Sequence, residues 1–183
     1  CNLRCSYCDT TYAYELGEEM SIDTILHRVS AYGIKLVEIT GGEPLLQSHS
    51  FLLITQLCNA GYEVLIETNG SQDIKPIDSR AKIIMDVKTP SSGMVNTLCY
   101  GNVALLKPQD ELKFVLSNRQ DYEWALHFIH EENLIQRSTV LLSPVFHTLQ
   151  PSLLTAWMIQ DRLSVRLNLQ LHKYIWPPDQ RGV

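Results

Sequence analysis

Short apolar and β-branched runs recur along the chain, each separated from the next by enough residues for a helix. KLVEIT (35–40), EVLIET (63–68), KIIMDVK (82–88), ELKFVL (111–116), TVLLSPV (139–145) and VRLNLQL (165–171) read as strands. Their near-continuous apolar character suits strands covered on both faces, as in parallel sheets. Amphipathic stretches lie between them. SIDTILHRVSAYG opens on Ser and closes on Gly, which predicts a helix with both ends marked. SFLLITQLCNAG repeats that grammar, and DYEWALHFIHEE and LLTAWMIQD read as further helices. The stretch from Thr89 to Pro108 is rich in turn residues and is expected to hold one weak helix within a loop.

Strands and helices that alternate in this way, joined by right-handed crossovers, yield either an open doubly wound sheet or a barrel-like sheet. Both gather their chemistry at the C-terminal ends of the strands. Here those ends carry TGGEP (40–44), ETNG (67–70), DVK (86–88), LKFV (112–115), SPVF (143–146) and QLHK (170–173). Polar groups therefore stand where each apolar run stops. No repeat, composition break or low-complexity tract divides the chain, and residues 1–183 are read as one domain.

Composition narrows the function by exclusion. Hydrophobic residues make up 45% and charged residues 19%, ordinary for a globular chain able to bury a sizeable core. A net charge of -5 gives no global positive field, so nucleic acid is not an expected partner and an anionic substrate would need local basic residues. No apolar run reaches the roughly 18 residues of a membrane span, and no leader pattern is visible. The expected location is the cytoplasm. The chain opens at Cys1 without a Met, and an N-terminal piece carrying the first barrel strand is expected to precede it.

Cysteine placement carries the chemistry. Five are present, and Cys1, Cys5 and Cys8 crowd into CNLRCSYCDT, which argues against a disulfide framework. Cys58 falls in an apolar helical stretch and Cys99 near a turn, and both read as structural. Thiolates at positions 1, 5 and 8 can converge on one soft metal centre. Structural zinc takes four protein ligands, and the fourth would be Asp9 or a distant histidine. An iron–sulfur cluster also usually takes four cysteines; with three, one iron stays open to a substrate or cofactor. Spacing alone leaves both a zinc or electron-transfer module and an open cluster standing.

CxxxCxxC resembles the signature of the radical S-adenosylmethionine (SAM) superfamily, and TGGEP after the first strand is a second mark. Gly41 and Gly42 there permit close backbone approach to a ligand. The resemblance implies that Cys1, Cys5 and Cys8 hold a [4Fe–4S] cluster whose open iron is chelated by the amino and carboxylate groups of SAM. It implies that reductive cleavage of SAM yields a 5′-deoxyadenosyl radical. Tyr7 is then set against the adenine, and Gly42 and Glu43 against the SAM amino group.

Further pieces, in order from Cys1 to Val183, are CSYCDT, ITGGEPLL, IETNG, DVKTPSS, ELKFV, QLHKYIW and RGV. Together they resemble the 7-carboxy-7-deazaguanine synthase family of the queuosine and deazapurine pathway. That resemblance implies a modified, incomplete (β/α) barrel and conversion of 6-carboxy-5,6,7,8-tetrahydropterin to 7-carboxy-7-deazaguanine with loss of ammonia. It implies Mg²⁺ on Thr10, bridging to the substrate carboxylate, as suits a hard cation with oxygen ligands. The local alternative is that Asp9 and Thr10 cap the turn leaving the cysteines.

The same resemblance sets Glu67 to accept from ribose hydroxyls, and Asp86, Val87, Lys88, Ser143, Pro144, Val145 and Phe146 against SAM. Thr40, His172 and the carboxylate of Val183 are implied for the pterin. Relatives often have Ser-Pro-Lys where this chain has Asp86-Val87-Lys88, so only Lys88 follows that pattern. Taken singly, Glu67 reads equally well as an ion-pair partner of Lys88, and His172 as a hydrogen-bonded histidine at the core edge. His27, His49, His127, His130 and His147 receive no role. A substrate-binding Gln-Gly-Glu stretch and an Arg are expected upstream of Cys1. A flavodoxin or ferredoxin reductant and a homodimer are implied. Two rivals remain: a radical SAM activase that installs a glycyl radical on a partner protein, and a non-catalytic zinc-bridged module.

Overall fold

Spatial order in the sheet decides between the two architectures that the sequence allows. The computed structural model describes residues 1–15 and 17–181. Six strands, β1 (Leu36–Ile39), β2 (Glu63–Thr68), β3 (Lys82–Val87), β4 (Glu111–Leu116), β5 (Thr139–Pro144) and β6 (Arg166–Leu167), pair in parallel in the order of the chain. A doubly wound sheet reverses its order at a switch point. This one never reverses, so right-handed crossovers place every intervening helix on the same face. The arrangement is that of an incomplete (β/α) barrel, with β1 and β6 as its edges.

The connecting helices are α1 (Ile22–Ala31), α2 (His49–Asn59), α3 (Gly101–Leu105), α4 (Arg119–Glu131), α5 (Pro151–Gln160) and α6 (His172–Ile175). Ser21 caps α1 by accepting from the Thr24 amide at 3.2 Å, and Asn118 caps α4 by accepting from Asp121 at 3.0 Å. The region 89–108 holds two single 3₁₀ turns and the five-residue α3, close to the weak helix that was expected.

Burial alternates along the strands, which corrects the expectation of cover on both faces. In β2, β3 and β4 the side chains of Val64, Ile66, Ile83, Met85, Leu112 and Phe114 are buried beneath the helices. The fully buried Ile54 and Leu57 of α2 and Ala125 and Ile129 of α4 meet them there, each large side chain contributing roughly 1.5–3 kcal/mol. Intervening positions, among them Glu67, Asp86 and Lys113, are only half buried and line the opposite, concave face. That face bounds a cavity rather than a second layer of helices, so it keeps charge.

β6 is shorter than VRLNLQL suggested. After Leu167 only the Asn168 amide still reaches the sheet, donating to the Leu142 carbonyl at 2.9 Å. β5 ends on Pro144, which has no N–H with which to extend the ladder. QLHK therefore leaves the sheet as a turn into α6 rather than forming a strand end.

Candidate active site at the barrel mouth

A cavity of about 1440 Å³ opens where the strands end. It exceeds the roughly 300–1,000 Å³ of a pocket for one small ligand, so there is room for two molecules side by side. Cys1, Cys5 and Cys8 line one wall as half-buried thiols. They lie in a loop, and the loop is held from outside. The Ser6 amide donates to the Ser92 carbonyl at 3.0 Å and the Ser6 hydroxyl to the Ser91 carbonyl at 2.6 Å. Asp121, fully buried at the start of α4, accepts from the amides of Ser91 and Ser117, both at 2.9 Å, and so fixes the segment that Ser6 grips. Asn69 donates to the Asn2 side chain at 3.1 Å and approaches the Cys1 sulfur at 3.8 Å. The Tyr14 ring lies 4.0 Å from the Arg4 guanidinium; contact of its hydroxyl with Cys8, then burial, pushes its pKa up to about 12.

Glycine 42 stands where the cysteine loop meets the strand ends. A Cβ at that position would lie 2.6 Å from the Cys1 nitrogen and 2.8 Å from the Cys1 Cβ, so only glycine allows this approach. Glu43 beside it is buried, and its carboxylate accepts from the Leu45 amide (3.0 Å), the Thr68 hydroxyl (2.9 Å) and the Asn69 amide (2.7 Å). It clasps the GGE turn to the end of β2. Its side chain is not part of the cavity wall.

The cavity floor is a row of charges on adjacent strands. Lys113 of β4 bonds to Glu67 Oε1 of β2 and lies 4.0 Å from Asp86 Oδ2 of β3, which pairs with Lys88 at 2.9 Å. Glu67 is thus the partner of Lys113, not of Lys88 as the sequence suggested, and its second oxygen accepts from the Thr40 hydroxyl at 3.2 Å. Burial alone would lower the pKa of both lysines. Asp86, together with Tyr7 and Cys5 at Lys88 and with Glu67 at Lys113, outweighs it and holds both ammonium groups above the usual lysine range. Burial pushes the Cys5 thiol up, and Lys88 draws it partly back. Glu38 of β1 also lines the cavity; burial, then the neighbouring Glu67, raises its pKa, while Lys113 offsets part of the rise.

Two buried polar atoms on this wall have no hydrogen-bond partner among the described residues: the Tyr7 hydroxyl and Asp86 Oδ1. Burial, then Asp86, holds the Tyr7 pKa well above its usual value. An unpaired buried polar atom costs about 1–3 kcal/mol, so such a pair at a cavity wall marks where a polar ligand would be received.

Across the mouth, residues 168–181 form the opposite wall. Asp9, directly after Cys8, joins the two walls. Its Oδ2 accepts from Lys173 at 2.6 Å and from Gln170 at 2.7 Å, and its Oδ1 accepts from the Thr10 hydroxyl at 3.0 Å. Burial would raise the Asp9 pKa, but the Lys173 ammonium, with Thr10 and Gln170, holds it below the ordinary carboxylate value. Asp9 is therefore a clasp to the C-terminal segment. The turn-capping alternative is not what forms, since Thr10 makes no side-chain cap to the 3₁₀ turn Thr11–Tyr14.

The family model of the radical SAM superfamily matches residues 1–95. The 7-carboxy-7-deazaguanine synthase of Chlorobaculum tepidum is 47% identical over all of this chain and 84% of its own length. That of Koribacter versatilis is 41% identical over all of this chain and 88% of its own. The chain belongs to the 7-carboxy-7-deazaguanine synthase family of radical SAM enzymes. The fold likeness reaches further: Streptococcus suis SuiB bound to S-adenosylmethionine superimposes with a TM-score of 0.61 at 14% identity, over 93% of this chain and 45% of that one. SuiB bound to its precursor peptide SuiA gives 0.65 at 14% identity, over 93% of this chain and 46% of that one. The chain thus spans under half of the SuiB chains it matches.

For a radical SAM enzyme the implied cofactors are SAM and a [4Fe–4S] cluster, and the donor set fits them. Among the described residues no three His, Cys, Asp or Glu side chains converge on a point that would hold one ion. A lone zinc draws its sulfurs to about 2.3 Å; a four-iron cube carries its thiolates farther apart. Three half-buried thiols on one cavity wall, and the two unpartnered polar atoms beside them, suit a cluster with one open iron and a polar ligand bound on it.

Of the residues singled out from the sequence, Tyr7, Thr10, Thr40, Gly42, Glu67, Asp86, Lys88, Ser143, Val145, Phe146 and His172 line the same cavity as the cysteines. Glu43, Val87 and Pro144 do not: Val87 is buried in the apolar core, and Pro144 lines a separate 190 Å³ pocket behind Phe146. The role given to Val183 lies outside the described residues. Lys113, Glu38, Asn69, Gln170 and Lys173 were missed. For the first two a signal existed, a charge at an inward position of a mostly apolar strand: Glu38 alone in LVEI, and Lys113 in ELKFVL, where Glu111 shares its face. No helix among the described residues is long and apolar enough to cross a membrane.

Proposed function

We propose that the chain converts 6-carboxy-5,6,7,8-tetrahydropterin to 7-carboxy-7-deazaguanine with loss of ammonia, with Mg²⁺ holding the substrate carboxylate at Thr10. The observation that carries this beyond family membership is the state of the Thr10 hydroxyl. Its proton is given to Asp9 at 3.0 Å, so toward the cavity its oxygen has only lone pairs to offer. A neutral oxygen two residues past Cys8 suits a hard cation beside the cluster.

When bound, the cluster and SAM supply a 5′-deoxyadenosyl radical that takes a hydrogen from the substrate. The chain's own residues bind, orient and exclude water. Cys1, Cys5 and Cys8 hold three irons. Gly42 keeps the GGE turn close to Cys1, with no side chain between. Glu67 and Asp86 Oδ1 accept from ribose and amino groups, the Tyr7 hydroxyl gains a partner, and Lys88 faces the methionine carboxylate. Ser143, Val145 and Phe146 close the SAM wall, and Thr40 and His172 face the pterin. The same reading takes residues 1–183 as one domain, and the enzyme as a cytoplasmic homodimer reduced by a flavodoxin or a ferredoxin.

The test is anaerobic reconstitution with iron and sulfide, then incubation with the pterin, SAM and reduced flavodoxin, with and without Mg²⁺. The expected result is Mg²⁺-stimulated release of ammonia and 7-carboxy-7-deazaguanine, with SAM recovered. A protein that cleaves SAM but leaves the pterin untouched would overturn the reading and favour the activase.

A further inference from the structure

The helix α6 buries no residue, yet the segment around it lies across the cavity mouth. With no fully buried apolar side chain in that helix, polar contacts carry much of the hold. At that seam the Lys173 ammonium and the Gln170 amide both reach Asp9 Oδ2, 2.6 and 2.7 Å away. Farther along it, the Arg181 guanidinium lies 4.6 Å over the Tyr12 ring.

We propose that Lys173 is a positioning residue which, through Asp9, fixes the Thr10 hydroxyl for its cation and fastens residues 168–181 over the cavity. The cation half of this rests on the magnesium reading above; the fastening half does not. Asp9 has two oxygens and two tasks. With Oδ2 held by an ammonium and an amide, the carboxylate cannot rotate, and Oδ1 stays on the Thr10 proton. Released, the same carboxylate could turn onto the cation itself, and the Thr10 proton would be free to point into the cavity. Lys173 is suited to the task because it is itself immobile. Its side chain is only 10% exposed, and its ammonium lies 5.5 Å over the Phe146 ring, which meets Tyr174 edge-on at 5.4 Å. Phe146 lies two residues past the β5 strand end, so the clasp is referred to the barrel. Lys173 meets the SAM wall only through the Phe146 ring and contacts no cysteine. Closing the mouth and preparing the cation ligand become one event.

The experiment compares the wild type with Lys173→Met, which keeps the stem, Lys173→Arg, which keeps the charge, and Gln170→Leu, a milder lesion of the same clasp. Amide hydrogen exchange of residues 168–181, without Mg²⁺ or substrate, should quicken about tenfold in Lys173→Met, less in Gln170→Leu, and stay near wild type in Lys173→Arg. The Mg²⁺ concentration that half-saturates pterin turnover should rise about tenfold in Lys173→Met, with a smaller change in the SAM dissociation constant. Unchanged exchange in Lys173→Met overturns the fastening. Faster exchange with an unchanged Mg²⁺ requirement overturns the positioning of Thr10. A wild type whose turnover ignores Mg²⁺ overturns the magnesium reading and the cation half with it, while the exchange result still decides the fastening.

Discussion

On the cavity floor, Lys113 reaches Glu67 and Asp86 from a strand hydrogen-bonded on both sides; at the rim, Lys173 reaches Asp9 from a one-turn helix with no fully buried residue. Both are ion pairs with one well-buried partner, but they depend on different things. The floor's geometry is set by strand register: Asp86 and Lys113 face each other directly across β3 and β4. Backbone hydrogen bonds far from the charges keep them in place. At the rim the charge contact is itself the fastening. Loss of a floor charge should therefore weaken the fold, whereas loss of a rim charge should loosen one segment and leave the fold intact.

The largest effect is expected at Lys113. Lys113→Met leaves two half-buried carboxylates without their shared cation, a loss of about 3 kcal/mol or more, which lowers Tm by roughly 6–12 °C in a chain of this size. Calorimetry of the protein before reconstitution reads it, and a change within about 2 °C would erase the distinction between floor and rim. The sign with pH follows from the raised lysine pKa. The pair's contribution is complete below the unfolded lysine value near 10.4 and fades only as pH climbs through the higher folded value. The gap between wild type and variant should stay constant from neutrality to about pH 10 and close above it.

An intermediate effect is expected at Tyr7. Its hydroxyl has no partner among the described residues, so Tyr7→Phe should leave the stability of the unreconstituted protein unchanged or slightly higher. SAM affinity of the reconstituted protein, by equilibrium dialysis, should fall about tenfold. Equal losses in both measurements would make Tyr7 a structural residue of the floor.

The smallest effect is expected at Glu38. Its pKa is raised, first by burial, so its charged form slightly disfavours the fold at neutral pH, an effect that solvent screens because the residue as a whole is exposed. Glu38→Gln should raise Tm by about 1 °C at pH 8. That gain should vanish as pH falls below the unfolded carboxylate value near 4.3. A variant less stable than wild type at pH 8 would mean that Glu38 is bonded into the floor row rather than surplus to it.

Floor and rim also differ in how far the sequence foretold them. All six strands fall within the apolar runs, because a strand's period and its flanking turn residues are local properties. The cysteine loop and the GGE turn were legible for the same reason, since each is one short stretch with a fixed spacing. The pairing of Lys113 with Glu67 was not. It depends on the register of β2 and β4 on β3, which sets Glu67 level with Glu111 and leaves Lys113 to reach it diagonally, and sequence spacing does not set that. Glu43 misled because a buried carboxylate that clasps its own turn has the same local sequence as one that faces a ligand. The rim was least legible. Asp9 and Lys173 are far apart in the chain, and VRLNLQL shows the alternation of a strand through Leu171, although the chain leaves the sheet after Leu167. Pro144, the cause, lies on a different strand.

The central claim is that three thiolates from Cys1, Cys5 and Cys8 anchor a cluster with one iron left for SAM. Its most direct test is the EPR spectrum of the anaerobically reconstituted, reduced protein, recorded before and after SAM is added. The account predicts a clear change in g-values as SAM takes the fourth iron, while a spectrum indifferent to SAM would contradict it.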